Sequence, residues 1–230
     1  RSTDDRLPFA PRFDTVSPAV SDTTRAQLFF GLYEGAEIRM AKRHLRDTAC
    51  LIDLGCSIGV LAAFAGERVV ARGQIFGVEA NPGLIELARA NIARNVPHVE
   101  AQVVHGAIDY SHEPGSTAQF LKTFDHTASA LAADGGSDVA FTAPVVRLSD
   151  IVSTANIDRF TLLADIEGAE AGLLIDDAPS LSRCDQVLIE LHETRYSGRV
   201  YTADELLDLA LALGFVVEAS YGNVYVLNRP

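Results

Sequence analysis

Two acids and a histidine follow apolar runs in the second half of the chain. Asp165 comes directly after the run 160–164, and Glu190 and His192 close the run 187–189. Residues two apart on a strand share a face, so we expect the Glu190 and His192 side chains to point the same way. An imidazole titrates near neutral pH, which predicts His192 as the general base for a hydroxyl acceptor. Asp165 would then hold an ammonium group or orient the acceptor, and Glu190 would favour the charged imidazole.

The same three side chains allow two other interpretations. They offer two carboxylates and an imidazole, and this oxygen-rich ligand set suits Mg²⁺ better than Zn²⁺. A structural role is the other interpretation, because a carboxylate at a buried strand end, such as Glu190, needs a partner. The sequence therefore leaves His192 as a base, a metal ligand or a structural partner.

A glycine-containing turn follows the first apolar run, 49–54, and precedes a segment with the apolar spacing of a helix, 60–70. Glycines let the backbone approach a ligand, and the first N–H groups of a helix bind a carboxylate or a phosphate. A turn of this kind therefore predicts a site for a nucleotide-like ligand. The turn residues that we expect at the ligand are Gly55, Cys56, Ser57 and Gly59.

Two ligands fit this pattern, a dinucleotide and S-adenosylmethionine. Dinucleotide sites require a further glycine where this chain has Ser57. Asp53, just before the turn, is placed to meet the ammonium of an amino acid, which favours S-adenosylmethionine. Glu79, at the end of the next apolar run, 74–78, can accept both hydroxyls of a ribose.

Four sequence blocks stand in order between residues 50 and 193: Asp53-x-Gly55-x-x-x-Gly59, Val78-Glu79-Ala80-Asn81-Pro82, Asp165-Ile166-Glu167-Gly168-Ala169-Glu170 and Ile189-Glu190-Leu191-His192. Together they resemble the FkbM family of S-adenosylmethionine-dependent methyltransferases. The chain departs from that family at Cys56-Ser57, where Ala-Asn is usual, and at Leu163, where a lysine is common. The resemblance implies methylation of a hydroxyl on a small molecule such as a sugar, a lipid or a secondary metabolite.

The resemblance also extends the set of expected cofactor contacts. In this fold class the adenine ring lies against the backbone and small side chains after the third strand, here Gly106 and Ala107. Ala80 and Asn81 follow the expected ribose-binding carboxylate in the same block. Asp165 is a candidate for contact with the cofactor as well as with the acceptor.

Strand and helix signals alternate along the chain, which predicts an α/β fold with a mostly parallel sheet. With the resemblance, we expect one class I (Rossmann-like) methyltransferase domain over 1–230, with a seven-stranded sheet, helices on both faces and a C-terminal antiparallel hairpin. An N-terminal arm and helix (1–47) precede the core (48–230), which carries an insertion at about 109–140. The predicted helices are 24–46, 60–70, one that begins at 81, 116–133, 149–154, 169–181 and 202–213. The predicted strands are 49–54, 74–78, 99–104, 145–148, 160–164, 186–191, 215–219 and 223–227.

The composition disfavours several classes of partner. The formal net charge is −12, from 19 basic and 31 acidic residues, so a nucleic-acid backbone would be repelled. No apolar run reaches the roughly 18 residues of a membrane span, and the polar start is unlike a signal peptide. The cysteines, Cys50, Cys56 and Cys184, lack metal-site spacing and predict reduced thiols in a cytoplasmic protein. The sequence does not indicate an oligomeric state.

Two rival functions stay open at the level of sequence. One is an NAD(P)-dependent oxidoreductase, which the missing glycine disfavours. The other is a non-catalytic domain that keeps the cofactor pocket as a scaffold, which the Glu190–His192 pair weakly disfavours. The identity of the acceptor and the position methylated are not encoded in any motif that we find.

Overall fold

The computed structural model describes residues 13–121 and 139–230. The first part of the predicted arm and residues 122–133 of the predicted insertion helix lie outside the described residues. The strands are β1 (Thr48–Leu54), β2 (Val69–Glu79), β3 (Glu100–His105), β4 (Ala107–Ile108), β5 (Thr117–Leu121), β6 (Val139–Val146), β7 (Phe160–Ala164), β8 (Cys184–Glu190), β9 (Thr194–Tyr196), β10 (Arg199–Tyr201), β11 (Val216–Tyr221) and β12 (Val224–Asn228). The helices are α1 (Asp22–Phe29), α2 (Gly35–His44), α3 (Val60–Ala65), α4 (Ile85–Asn95), α5 (Leu148–Thr154), α6 (Glu170–Asp176), α7 (Ala178–Leu181) and α8 (Ala203–Ala212).

Seven strands form one sheet in the order β11-β12-β8-β7-β1-β2-β3. The pairs that join β8, β7, β1, β2 and β3 are parallel, and β12 is antiparallel to both of its neighbours. This confirms the predicted class I methyltransferase fold with its C-terminal antiparallel hairpin. The carboxyl ends of β1, β2, β7 and β8 meet at one edge of the sheet, where ligands bind in open parallel sheets.

The central strands are buried on both faces. Leu51 contributes to one apolar cluster and Ile52 to the other, and Leu163 and Leu162 alternate in the same way on β7. Strands covered on both sides read as continuous apolar runs, which explains why the sequence located β1 and β7 so closely. At the end of β1, this packing places Asp53 at a position that is only 2% exposed.

The predicted helix over 24–46 is wrong, because the structure has two helices with a break between them. Ser21 accepts a hydrogen bond from the backbone N–H of Thr24 and begins α1, as a capping residue does. Gly31 and Glu34 then adopt left-handed backbone conformations, with φ of 66° and 47°. A helix cannot continue through such residues, so α2 begins at Gly35.

Other boundaries differ from the prediction as well: the predicted helix 169–181 is the two helices α6 and α7, and the predicted strand 145–148 is the end of β6 and the start of α5. The predicted helix 60–70 ends at Ala65, because residues 69–73 extend β2 beyond the expected strand 74–78. Asn81 does not cap a helix directly: its side chain accepts from the N–H of Gly83 at 3.0 Å, forming a turn, and α4 begins at Ile85. Within the described ranges, no helix combines the length and apolar character needed to cross a bilayer.

The described part of the predicted insertion helix 116–133 is a strand, so this prediction is wrong there. Strand β5 pairs antiparallel with β6, and β4 joins β6 on its other side. Ala118 and Phe120 alternate inward, and the Phe120 ring stacks on Phe141 at 4.9 Å between ring centroids. The apolar residues therefore follow a period of two, which a helical interpretation of Phe120 misses.

Candidate functional site

A cleft opens at the carboxyl edge of the sheet. Its empty volume is about 770 Å³, which includes space open to solvent. The residues that line it are Tyr33, Glu34, Gly55, Ser57, Val78, Glu79, Ala80, Gly106, Ala107, Ile108, Phe120, Phe141, Asp165, Ile166 and Glu167. Seven residues predicted from the sequence are among them: Gly55, Ser57, Glu79, Ala80, Gly106, Ala107 and Asp165.

The glycine turn forms one end of the cleft, which we call the turn end (Gly55, Ser57, Glu79 and Ala80). The Gly55 N–H donates to the carbonyl of Val78 at 2.9 Å, which ties the turn to β2. Gly55 has φ of 82°, and a Cβ built on it would lie 2.2 Å from the backbone oxygen of Asp165. A glycine is therefore required at position 55 by the backbone that follows β7.

Four predicted cofactor residues do not line the cleft. Asp53 is buried behind the turn, and Asn81 holds the turn before α4. The Cys56 sulfur packs over β2, where a Cβ on Gly77 would lie 2.9 Å from it. Gly59 faces α4, since an added Cβ would lie 2.9 Å from the Ala88 carbonyl oxygen. Cys56 and Gly59 therefore serve packing, which the sequence pattern alone did not separate from ligand contact.

Glu79 stands between the turn and the cleft. Its carboxylate accepts from the N–H of Ser57 at 2.8 Å and from the N–H of Asn81 at 2.6 Å. Burial raises its pKa to about 7, although these backbone bonds lower it. A carboxylate has about four acceptor positions, so two remain for hydroxyl groups of a ligand.

Beside Asp165 lies a group that we call the acidic end: Asp165, Glu170, Glu190 and His192. Of these four residues only Asp165 lines the cleft, so the predicted catalytic residues Glu190 and His192 lie next to the cleft and not in its wall. Glu170, which has no exposed surface, accepts from His192 Nδ1 at 2.8 Å and from the Gly168 N–H at 3.2 Å. His192 Nε2 lies 3.6 Å from Glu190 Oε1. The expected shared face of Glu190 and His192 is therefore present, and Glu170 adds a partner on the far side of the ring.

The burial and the charges of the residues at the acidic end shift their pKa values. The hydrogen bond to Glu170 is the main reason that the His192 pKa rises to about 9, while burial opposes the rise. Burial raises the pKa of Asp165 to about 7, and the charges of Glu190 and Glu167 add to it. Glu190 also has a raised pKa, from burial first. The imidazole is therefore mostly protonated at neutral pH, and its carboxylate neighbours partly neutralise it.

Sequence reasoning missed three acceptors and two aromatic rings at this site. Tyr33 and Glu34 line the cleft, and the Tyr33 hydroxyl lies 2.8 Å from the Ser57 hydroxyl oxygen. They were missed because they occupy the unpredicted break between α1 and α2. The sequence pattern does not place Phe120 at the cleft because it predicts a helix where β5 lies, and it does not place Phe141 there because the predicted strand begins at 145 whereas β6 begins at Val139. Glu170 was recognised as an acid, but only the fold brings it to the imidazole.

Comparison with known proteins adds family membership to this geometry. The model of the methyltransferase FkbM domain matches residues 53–217, which is more than half of the chain. The chain belongs to that family. The family is one of methyltransferases, which favours that class over the oxidoreductase alternative.

The individual proteins that this FkbM domain resembles match it over part of its length or at low sequence identity. A carboxy-S-adenosyl-L-methionine synthase of Chromohalobacter salexigens is 33% identical over 97 residues, which are 39% of this chain and 36% of that protein. The match thus spans about a third of the relative's length. A protein of the NADB-Rossmann superfamily from Streptococcus agalactiae has a TM-score of 0.45 at 14% identity, covering 84% of this chain and 65% of that one.

A precorrin-6y C5,15-methyltransferase from Geobacter metallireducens covers more of its own length. It has a TM-score of 0.44 at 14% identity, over 95% of this chain and 94% of that chain. Likeness at this level adds little, so the fold of the FkbM domain rests on its own strand order.

Proposed function

We propose that this FkbM domain transfers the methyl group of S-adenosylmethionine to a hydroxyl of a small molecule, such as a sugar, a lipid or a secondary metabolite. The observation that carries the proposal is the Glu170–His192 pair, which stands beside Asp165 and Glu190 at the acidic end. An imidazole held by one nitrogen keeps the other available to a hydroxyl, which a non-catalytic scaffold would not need.

The cofactor would lie along the turn end of the cleft. Glu79 has free acceptor positions for the ribose hydroxyls, and Gly106 and Ala107 line the cleft where the adenine ring would lie. The methionine part would lie over Gly55 and Ser57, and the charge of Asp53, which is buried behind the turn, would favour its ammonium group without direct contact. Asn81, Cys56 and Gly59 would act by shaping the turn.

Methyl transfer from a sulfonium is a direct displacement. Bound S-adenosylmethionine would supply the methyl group to the acceptor oxygen and keep the electrons of the broken carbon–sulfur bond on sulfur, and His192 Nε2 would take the proton of the acceptor hydroxyl. Glu170 holds Nδ1 and stabilises the imidazolium that forms. With a pKa of about 9, roughly one imidazole in a hundred is neutral at pH 7, so the scheme predicts a rate that rises toward alkaline pH.

The acidic end also supports a metal-assisted version of the same transfer. Asp165, Glu190 and His192 each offer one ligand atom, and these atoms lie within 4.8 Å of one another. Glu170 would then orient the imidazole from behind, as carboxylates do for metal-binding histidines. A divalent ion such as Mg²⁺ would lower the pKa of a bound hydroxyl and make a separate base unnecessary.

Other expectations about partners remain part of the proposal. The −12 net charge supports a small-molecule acceptor over a nucleic acid. The described cysteines are free and buried, which supports the expected cytoplasmic location.

The experiment is a mass-spectrometric assay for methylated product with S-adenosylmethionine and a panel of hydroxyl acceptors, with and without EDTA. Turnover that resists EDTA supports His192 as the base, and turnover that EDTA stops and Mg²⁺ restores supports the metal version. Binding of the cofactor without methylation of any acceptor, by a protein that also fails to hydrolyse or consume the cofactor, would favour the scaffold alternative.

A further inference from the structure

Glu34 has an unusual position at the cleft. It precedes α2 in a left-handed conformation, with φ of 47° and ψ of 35°, which non-glycine residues seldom adopt. The neighbouring Tyr33 hydroxyl contacts the Ser57 hydroxyl at 2.8 Å and fixes the segment over the glycine turn. Glu34 lines the cleft and is partly exposed, with its Oε2 atom buried.

Unpaired carboxylate oxygens gather at this place. Among the described residues, buried side-chain oxygen atoms without a hydrogen-bond partner include Glu34 Oε2, Asp53 Oδ2 and Asp165 Oδ1. Asp53 is 2% exposed, so water does not satisfy it from outside the fold. Buried polar atoms normally have partners, and a concentration of unpaired acceptors indicates a missing donor or cation.

These carboxylates also act on one another. Burial raises the pKa of Glu34, and the charges of Asp53 and Asp165 raise it further. Burial raises the pKa of Asp53 to about 8, with Asp165 as the next cause. None of the described lining residues is a lysine or an arginine, and His192 offsets only one of the negative charges. A cation in the cleft would relieve this mutual repulsion.

The two forms of the cofactor differ by one positive charge. S-adenosylmethionine carries an ammonium, a carboxylate and a sulfonium, for a net charge of +1. Its product, S-adenosylhomocysteine, has a neutral thioether and no net charge. Because the two are otherwise nearly the same shape, a difference in affinity reports the electrostatics of the site.

We propose that Glu34, with Asp53 and Asp165, forms a carboxylate cluster that attracts the positively charged sulfonium. The protein would therefore bind S-adenosylmethionine more tightly than S-adenosylhomocysteine. The inference rests on the cofactor of the proposed function and adds a role for the segment between α1 and α2. Transfer of the methyl group removes the positive charge, so the same carboxylates that hold the substrate form of the cofactor favour release of the product form.

The test is calorimetric titration of the full chain with each form separately, without acceptor. We expect the parent protein to bind S-adenosylmethionine about tenfold more tightly, the order of effect that one partly screened charge gives. Glu34→Gln should reduce this ratio to about twofold, mainly by weakening S-adenosylmethionine. Glu34→Asn removes the same charge and tolerates the left-handed backbone better, so it serves if the glutamine variant is unstable.

Glu100→Gln is the matched control. Glu100 is an exposed residue that begins β3, at the edge of the sheet opposite the cleft, and its loss changes the net charge equally. The control should leave the affinity ratio unchanged. A parent that binds S-adenosylhomocysteine at least as tightly, or a ratio that survives both Glu34 variants, would overturn the inference. Binding of neither form would overturn the proposed function itself, which separates the two failures.

Discussion

The turn end of the cleft and the acidic end beside it both contain buried carboxylates, but the oxygens have different partners. At the turn end, both oxygens of Glu79 accept backbone N–H groups. At the acidic end, Asp165 Oδ1 and Glu170 Oε2 are buried without a hydrogen-bond partner. The hydrogen bonds of Glu79 are therefore made within the fold, where this side chain shapes the turn. The unpaired oxygens of the acidic end need a ligand or a proton as partner.

The largest expected effect is at His192, on the acidic end. If its Nε2 takes the hydroxyl proton, His192→Ala should lower kcat by a factor of about 10² to 10⁴ and leave cofactor affinity nearly intact. The measurement is turnover and cofactor titration on the same preparation. His112→Ala, at a histidine that pairs with Asp109 away from the cleft lining, is the control and should keep its kcat. A His192→Ala protein with parental turnover would remove the general-base scheme.

The next effect concerns the turn end and should appear in stability. Gly55→Ala puts a Cβ against the backbone oxygen of Asp165 and forces a left-handed residue, so we expect unfolding free energy to fall by about 2–4 kcal/mol. Denaturant unfolding measures it. Gly222→Ala is the matched control, because Gly222 also has positive φ but a Cβ there meets nothing within 4 Å. Equal losses in the two variants would show that the contact with β7 has no special cost.

A smaller effect is expected in cofactor binding at Glu79. Glu79→Gln replaces charge-assisted bonds with neutral ones and presents an amide N–H₂ to a backbone donor, so affinity should fall about 5- to 30-fold. Calorimetry with S-adenosylmethionine checks this. If a folded Glu79→Gln variant kept the affinity of the parent, Glu79 would not bind the ribose and its role would be structural.

The smallest change is a shift of a pH profile. Because the Glu170 hydrogen bond is the main cause that raises the His192 pKa to about 9, the parent rate should climb as pH rises through about 9. Glu170→Gln keeps an acceptor for Nδ1 but removes the charge, so this limb should move down toward 6.5. The profile is measured on the acceptor found in the product assay. A limb that stays in place would mean that another group controls the titration.

Much of the site could be predicted from the sequence, because the end of a strand is marked by residues adjacent in the chain. The apolar runs before Asp53, Asp165 and Glu190 identify buried parallel strands, and parallel strands bring their carboxyl ends to one edge. The pairing of Glu190 with His192 was expected from the two-residue period of a strand, but β8 ends at Glu190 and His192 lies beyond it. The resemblance carried by the same blocks predicted the seven-stranded sheet with its C-terminal hairpin and the cofactor class, whereas the strand order comes from the structure.

The sequence by itself therefore determined the sheet, the glycine turn and the acids at its edge, because each depends on residues adjacent in the chain. Tertiary structure decided which of them meet. In the fold, Gly59 and Cys56 pack against neighbouring elements and Glu170 lies next to the His192 imidazole. The break between α1 and α2 places Glu34 at the cleft. Such contacts join residues far apart in sequence through backbone conformations and pair distances that no local period encodes.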